Sequence, residues 1–219
     1  MKLLFSSIGK KIQVALSGLF LSIFLFFHLM NNLVLIIGPE EFNNMVYFLE
    51  SIKPIIRVME VGLVIIILLH VVNAIQLTFL NKKSKGREYQ SLDSKSSSTN
   101  SRTMAISGTI ILSFIIIHLS YMWWTYQNPS LHIDESYYDV ILRSEIGYLN
   151  HLPTAIFYII SIILIGSHLR HGFQSALKTL GFLNKGISVV LHSIGFLFWA
   201  IIPLGFILII ILIQIGYIR

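Results

Sequence analysis

Apolar residues fill this chain in five long blocks, at about 12 to 37, 55 to 80, 104 to 126, 152 to 177 and 187 to 217. A helix needs roughly 20 mostly apolar residues to cross the hydrocarbon of a bilayer, so each block is predicted to be a transmembrane helix. The first block resembles a secretion signal in position only: its apolar core is too long and no small-residue cleavage pattern follows it. Gly38 and Pro39 are good breakers and stop the first helix. The acidic stretch from there to Pro54 is expected to be partly helical. Between Gly86 and Arg102 lies the most polar segment, rich in serine (SLDSKSSSTNSR), which reads as a cytoplasmic loop, either disordered or a docking surface for a soluble partner. The third helix ends in Trp123, Trp124 and Tyr126, an aromatic belt of the kind that marks a membrane interface. A second acidic loop runs from Gln127 to Asn150.

Composition agrees with the pattern. Of 219 residues, 55% are hydrophobic and 12% charged, with a mean hydropathy of +0.77, well away from ordinary soluble domains. The fold class is therefore all-α integral membrane: residues 1–219 form a single membrane domain of five transmembrane helices, an up-down four-helix bundle with one peripheral helix. There is no cysteine, which excludes a disulfide, a thiolate zinc site, an iron-sulfur cluster and a covalently attached c-type haem.

The net charge of +6 is a matter of topology. Twelve of the sixteen basic residues flank one set of helix ends, among them Lys10, Lys11, Lys82, Lys83, Arg102, Arg170 and Lys178. Eight of the ten acids lie at the other ends. By the positive-inside rule the N-terminus is expected to be cytoplasmic and the C-terminus outside. A nucleic-acid partner is not indicated.

Two internal similarities carry the candidate chemistry. From Ser17 the first helix reads SGLFLSIFLFFHL, and from Ser107 the third reads SGTIILSFIIIHL. The second and fourth share H-x-x-(N/H)-x-x-Q, as His70, Asn73 and Gln76 and as His168, His171 and Gln174. Ionisable residues inside a membrane are costly and mark function by default.

Counting about 1.5 Å per residue from the nearest basic edge puts His28 at roughly 25 Å and His118 at roughly 24 Å, against roughly 18 Å for His70 and 15 Å for His168. Helices 1 and 3 are diagonal in such a bundle, as are 2 and 4. His28 is thus predicted to face His118 in an outer layer, and His70 to face His168 in an inner one. Two flat groups stacked along the axis, each gripped by a histidine pair, satisfy these spacings, and haem fits: imidazole is a good iron ligand, and two histidines fill both axial positions.

Several further residues are candidates around these groups. Gly18, Gly62, Gly108 and Gly166 are small enough to let a porphyrin approach the backbone. Ser17 and Ser107, eleven residues before the outer histidines, would sit on the same inward face nearer the inner group and are expected to act there as hydrogen-bond donors. Asn31, Asn73, Tyr121 and His171 each lie three positions beyond a candidate ligand and are expected near the haem propionates. His171 is also the rival to His168, but it lies past Arg170 and aligns with Asn73. His132, His151 and His192 have no depth-matched partner and are expected in surface or interfacial roles. Arg57 and Glu60 form an expected i, i+3 ion pair, with a proton-handling role for Glu60 as the alternative.

With SSIGKKIQVALSGLFLSIFLFFHL, SRTMAISG and its following HL, and HLRHGFQSALKTLG on view, nearly the whole chain resembles the membrane cytochrome b subunit of succinate dehydrogenase/fumarate reductase, of the b558, two-haem type. The resemblance implies two haem b groups with His28, His70, His118 and His168 as axial ligands. It also implies a quinone as substrate, with menaquinone expected, and two soluble partners, a flavoprotein subunit and an iron-sulfur subunit. Electrons would pass from the iron-sulfur subunit to the inner haem, the outer haem and quinone. The chain itself has no flavin-binding signature and would not oxidise succinate alone. Two other readings stand beside it: a dihaem cytochrome b of another respiratory dehydrogenase or hydrogenase, and a transporter or proton channel whose histidines relay protons.

Overall fold

A computed structural model of the chain describes residues 6–85, 94–182 and 188–219. The expectations for Lys2, Arg87 and Lys185 lie outside the described residues, as do those for the side chains of residues 81–103 and of His192. Helix α1 (Ser7–Leu33) begins where the Ser6 hydroxyl accepts from the Gly9 N–H at 3.0 Å, an N-cap that satisfies one of the free first-turn donors. It runs through a 3₁₀ turn at Val34–Ile36 to Gly38, whose φ of +149° leads into Pro39 at the start of the amphipathic α2 (Pro39–Ser51). Helix α3 (Lys53–Lys85) returns. Helix α4 (Ser94–His118) passes through a π-helical turn at Leu119–Trp123 into α5 (Trp124–Gln127). A short α6 (Tyr137–Ile141) lies in the following loop, and α7 (Leu152–Thr179) crosses back. The last crossing is α8 (Ser188–Phe196), a π-helical turn at Leu197–Ile201, and α9 (Ile202–Gln214).

Five of these helical stretches are long and apolar enough to cross a membrane: Ser7–Ile36, Lys53–Leu80, Met104–Gln127, Leu152–Thr179 and Ser193–Gln214. Among the described residues there is no strand, and the protein is an all-α integral membrane protein. The serine-rich segment expected as loop up to Arg102 is helical from Ser94 onward. Once a helix is nucleated, each further residue adds a hydrogen bond at little cost, so the apolar span extends backward into its polar leader.

Helix α1 packs against α3 and α7, α4 packs against α7, and α3 meets α4 only sparsely. The diagonals are therefore α1 across from α4 and α3 across from α7. Helix α9 and its preceding π turn lie against α7, and α9 also touches α1, which makes the fifth crossing peripheral to the four. Lipid supplies no hydrophobic drive between helices, so close approach depends on small residues. Gly166 on α7 faces the Trp199 carbonyl and the Pro203 ring, and Gly205 on α9 faces Leu29.

The end of the bundle away from the lysine-rich N-terminus is closed by a cap of α2, α6 and the loop before α7. Phe42, Tyr138, Val140, Ile141 and Tyr148 are buried there, joined by Ile218 from the chain's end. Arg143 ties the loop together through Glu135, the Leu131 carbonyl at 2.6 Å and the Tyr148 hydroxyl at 3.0 Å. Of the expected aromatic belt, Trp123 and Trp124 are exposed, but Tyr126 is turned inward and donates to the Tyr137 carbonyl at 2.8 Å. The loop folds over it, and a phenol covered that way needs an acceptor.

Candidate functional site

The bundle brings four of the histidines in its spans together as two diagonal pairs. His28 on α1 and His118 at the end of α4 have ring centroids 5.9 Å apart with planes at 79°. His70 on α3 and His168 on α7 have centroids 6.5 Å apart with planes at 67°. The ring facing His70 is that of His168, one turn before His171.

Each imidazole is held from the side. The Ser17 hydroxyl lies 3.0 Å from His70 Nδ1, and the Ser107 hydroxyl 3.2 Å from His168 Nδ1. The glycine after each serine lies under the same ring: a Cβ on Gly18 would stand 3.2 Å from His70 Cε1, and one on Gly108 3.7 Å from His168 Cε1. The repeated Ser-Gly of α1 and α4 thus serves the histidine of the neighbouring antiparallel helix, while the histidine eleven residues later serves its own helix's diagonal.

At the other pair, Tyr158 Oη is 3.4 Å from His118 Nδ1, and Asn32 Nδ2 is 3.5 Å from His28 Nδ1 while donating to the His28 carbonyl at 2.7 Å. Phe24 stacks on His28 at 5.4 Å and Phe114 on His118 at 5.8 Å. These are the phenylalanines four residues before the histidines, and side chains one turn apart lie on one helix face. Phe206 of α9 adds a third ring at 5.5 Å from His28.

Eleven residues of helix separate Ser17 from His28 and Ser107 from His118, so the two pairs lie about 16 Å apart along the axis. The basic-edge count implied only about 6 to 10 Å. Its edges are not level: with His70 beside Ser17, Lys82 on α3 falls about 9 Å beyond the level of Lys11 on α1.

The other expected residues divide. Asn73 is buried and donates to Gln13 Oε1 at 2.8 Å, bridging α3 to α1. Asn31 is exposed, and its neighbour Asn32 makes the bonds at His28. Tyr121 lies against Gly147 and meets Tyr148 edge-on at 6.0 Å. His132 packs on Tyr137 in the loop before α7, and His151 bonds Thr154 at 2.9 Å at the start of α7. Gly166 serves helix packing, and Gly62 faces open space. The Arg57–Glu60 pair is present at 2.7 Å. Glu60 also accepts from Trp123 Nε1 at 3.0 Å and Arg57 bonds Gln127, so the pair fastens α3 to the α4–α5 end across the sparsest seam.

Tyr158, Asn32, Gln13 and Phe206 escaped the sequence reading. Nothing in an apolar run such as AIFYII separates the tyrosine that meets a histidine from one that faces lipid.

Could these residues hold a prosthetic group? Among the described residues no three histidine, aspartate or glutamate side chains gather to hold a bare metal ion. A haem brings four nitrogens with its iron and asks the protein for two more. Metal–imidazole bonds of ~2.0 Å, with ~1.1 Å from nitrogen to ring centre, put two opposed ligands ~6.2 Å apart between centroids. The observed 5.9 and 6.5 Å bracket that value. An imidazole held at Nδ1 has Nε2 to offer a metal. The residues present fit the group at both levels.

A family model described as succinate dehydrogenase/fumarate reductase transmembrane subunit matches residues 80–212, more than half of the chain. The match takes in His118 and His168, while His28 and His70 precede it. No curated protein and no solved structure matches.

Proposed function

Because the chain belongs to the family of succinate dehydrogenase/fumarate reductase transmembrane subunits, we propose that it is the dihaem cytochrome b anchor of such a complex. In this reading it carries electrons between a cytoplasmic iron-sulfur subunit and membrane quinone, menaquinone by expectation. As a member of the family it is a membrane subunit of an oxidoreductase complex; the oxidation of succinate or reduction of fumarate belongs to the partner flavoprotein.

One observation carries the reading. Two diagonal histidine pairs lie at bis-ligand separation, about 16 Å apart along the bundle axis, and each imidazole is approached at Nδ1 by a polar side chain. In the proposal His28 and His118 would hold an outer haem b, and His70 and His168 an inner one. A haem held by two histidines would supply one-electron transfer rather than oxygen chemistry.

The chain's own residues orient the ligands and keep the centres apart. Ser17 and Ser107 fix the ring rotation of His70 and His168, and Phe24 and Phe114 fix that of His28 and His118. Leu29, buried beside His28 and pressed by Gly205, helps keep water from the outer pair. With the N-terminus on the cytoplasmic side of a bacterial inner membrane, His70 and His168 lie nearer the iron-sulfur partner and His28 and His118 nearer the outer surface.

The test is haem counting in the purified complex. The His28→Ala and His118→Ala proteins should each lose one and the same b-type component from the reduced-minus-oxidised spectrum. The His70→Ala and His168→Ala proteins should lose the other. A spectrum without b-type bands would sink the reading, and loss of one shared component by His28→Ala and His70→Ala would sink the pairing.

A further inference from the structure

The two pairs are supported by different chemistry, and that difference has a consequence for the centres they would hold. Ser17 Oγ lies 2.6 Å from the Gln13 carbonyl and 3.2 Å from the Val14 carbonyl. Both are acceptors, so the single hydroxyl proton goes to them and Ser17 can only accept from His70 Nδ1 at 3.0 Å. His70 therefore carries its proton on Nδ1. Ser107 repeats the arrangement, donating to the Met104 carbonyl at 3.2 Å and accepting from His168 Nδ1 at 3.2 Å.

The acceptor at His70 is itself braced. Gln13, whose carbonyl takes the Ser17 proton, receives a side-chain bond from buried Asn73, one turn beyond His70 on α3. At the outer pair no hydroxyl lies this close: the Nδ1 neighbours are a tyrosine at 3.4 Å and a side-chain amide at 3.5 Å.

We propose that Ser17 and Ser107 are positioning residues that set the reduction potential of the inner centre alone, by accepting the Nδ1–H bonds of His70 and His168. An imidazole that donates its second N–H to an oxygen is a more basic ligand. More basic ligands favour ferric over ferrous iron and lower the potential. Two serine acceptors on the inner pair, against a longer tyrosine contact and an amide on the outer pair, let the two centres be tuned separately, although both would have the same bis-histidine ligation. The inference rests on the two-haem reading.

The experiment is a redox titration of the intact complex, followed in the visible bands and by the low-spin ferric electron paramagnetic resonance signals. In Ser17→Ala and Ser107→Ala the component that His70→Ala deletes should move to more positive potential. It should move further in the double variant, while the component that His28→Ala deletes stays in place. Ser17→Thr, which keeps a hydroxyl, should return the wild-type value. The proposal is overturned if the inner component does not move, if the outer one moves instead, or if threonine behaves as alanine. Should the alanine variants lose the inner haem, retention of that haem in Ser17→Thr supports the hydroxyl's role, and its loss there too overturns it. Absence of any b-type component in the wild-type complex would instead overturn the two-haem reading, so the two failures are distinguishable.

Discussion

Replacing Gly166 by alanine would put a methyl carbon 2.9 Å from the Trp199 carbonyl oxygen and 3.4 Å from Pro203 Cγ. Trp199 stands four residues before Pro203, and in a continuous α-helix its carbonyl would bond the N–H that proline lacks. The π-helical turn at Leu197–Ile201 carries the chain past that conflict and leaves the Trp199 carbonyl leaning on α7, where only a glycine leaves room. Carbon–oxygen contacts of this kind normally sit at about 3.3–3.6 Å, so the added methyl overlaps by about 0.5 Å with a backbone atom that has no rotamer to retreat to.

Overpacking of this sort costs about 1–3 kcal/mol, and the better helix propensity of alanine returns at most about 1 kcal/mol. A net loss near 1–2 kcal/mol corresponds to a fall in melting temperature of about 2–8 °C for a chain of this length. The assay is thermal unfolding of the purified complex in detergent, with Gly172→Ala as the control. Gly172 lies on the same helix, two turns from Gly166, and its added methyl meets nothing within 4 Å. If Gly166→Ala melts with Gly172→Ala, at or above the wild type, the account of the π-helical turn before Pro203 and its glycine seat is wrong.

Three further outcomes are expected. Gly147 has φ +100°, and a Cβ there would overlap the Tyr121 ring, so Gly147→Ala should cost about 2–5 kcal/mol from strain and overlap together and expose the capping loop to limited proteolysis. Arg143→Ala removes bonds to Glu135, the Tyr148 hydroxyl and the Leu131 carbonyl, a loss of about 2 kcal/mol or more that should appear as a lower melting temperature with the loop released first. The Tyr137 phenol at the start of α6 is pushed above its ordinary value of 10.0 by burial and then by the Glu50 carboxylate. Its folded value exceeds the unfolded one, so its contribution is intact below about pH 10 and is lost as pH rises beyond; the melting temperature should fall there, and less so in Tyr137→Phe.

Where an element expected from the sequence is present or absent in the fold, the reason is physical. The break at Gly38–Pro39 and the Arg57–Glu60 pair are local consequences of residue type and spacing, and both are present. The loop expected up to Arg102 gave way to helix from Ser94, because local composition argued against a helix that its apolar continuation could extend. Gly166 looked like the other small residues of the spans, yet its neighbour is a carbonyl freed by a proline 37 residues later in the chain. The Ser-Gly repeat was visible in α1 and α4, but the imidazole each would touch depended on which helix lay alongside.

From the sequence alone follow the membrane class, the five crossings and the recurrence of histidines at two levels, because hydrophobic length and helical rise are properties of a segment by itself. Partnership is different. Ser17 with His70, Tyr158 with His118, and Trp123 with Glu60 depend on how each helix is rotated and which neighbour it meets. Helix rotation is settled by small-residue contacts between segments far apart in the chain, and no periodicity within one segment encodes it.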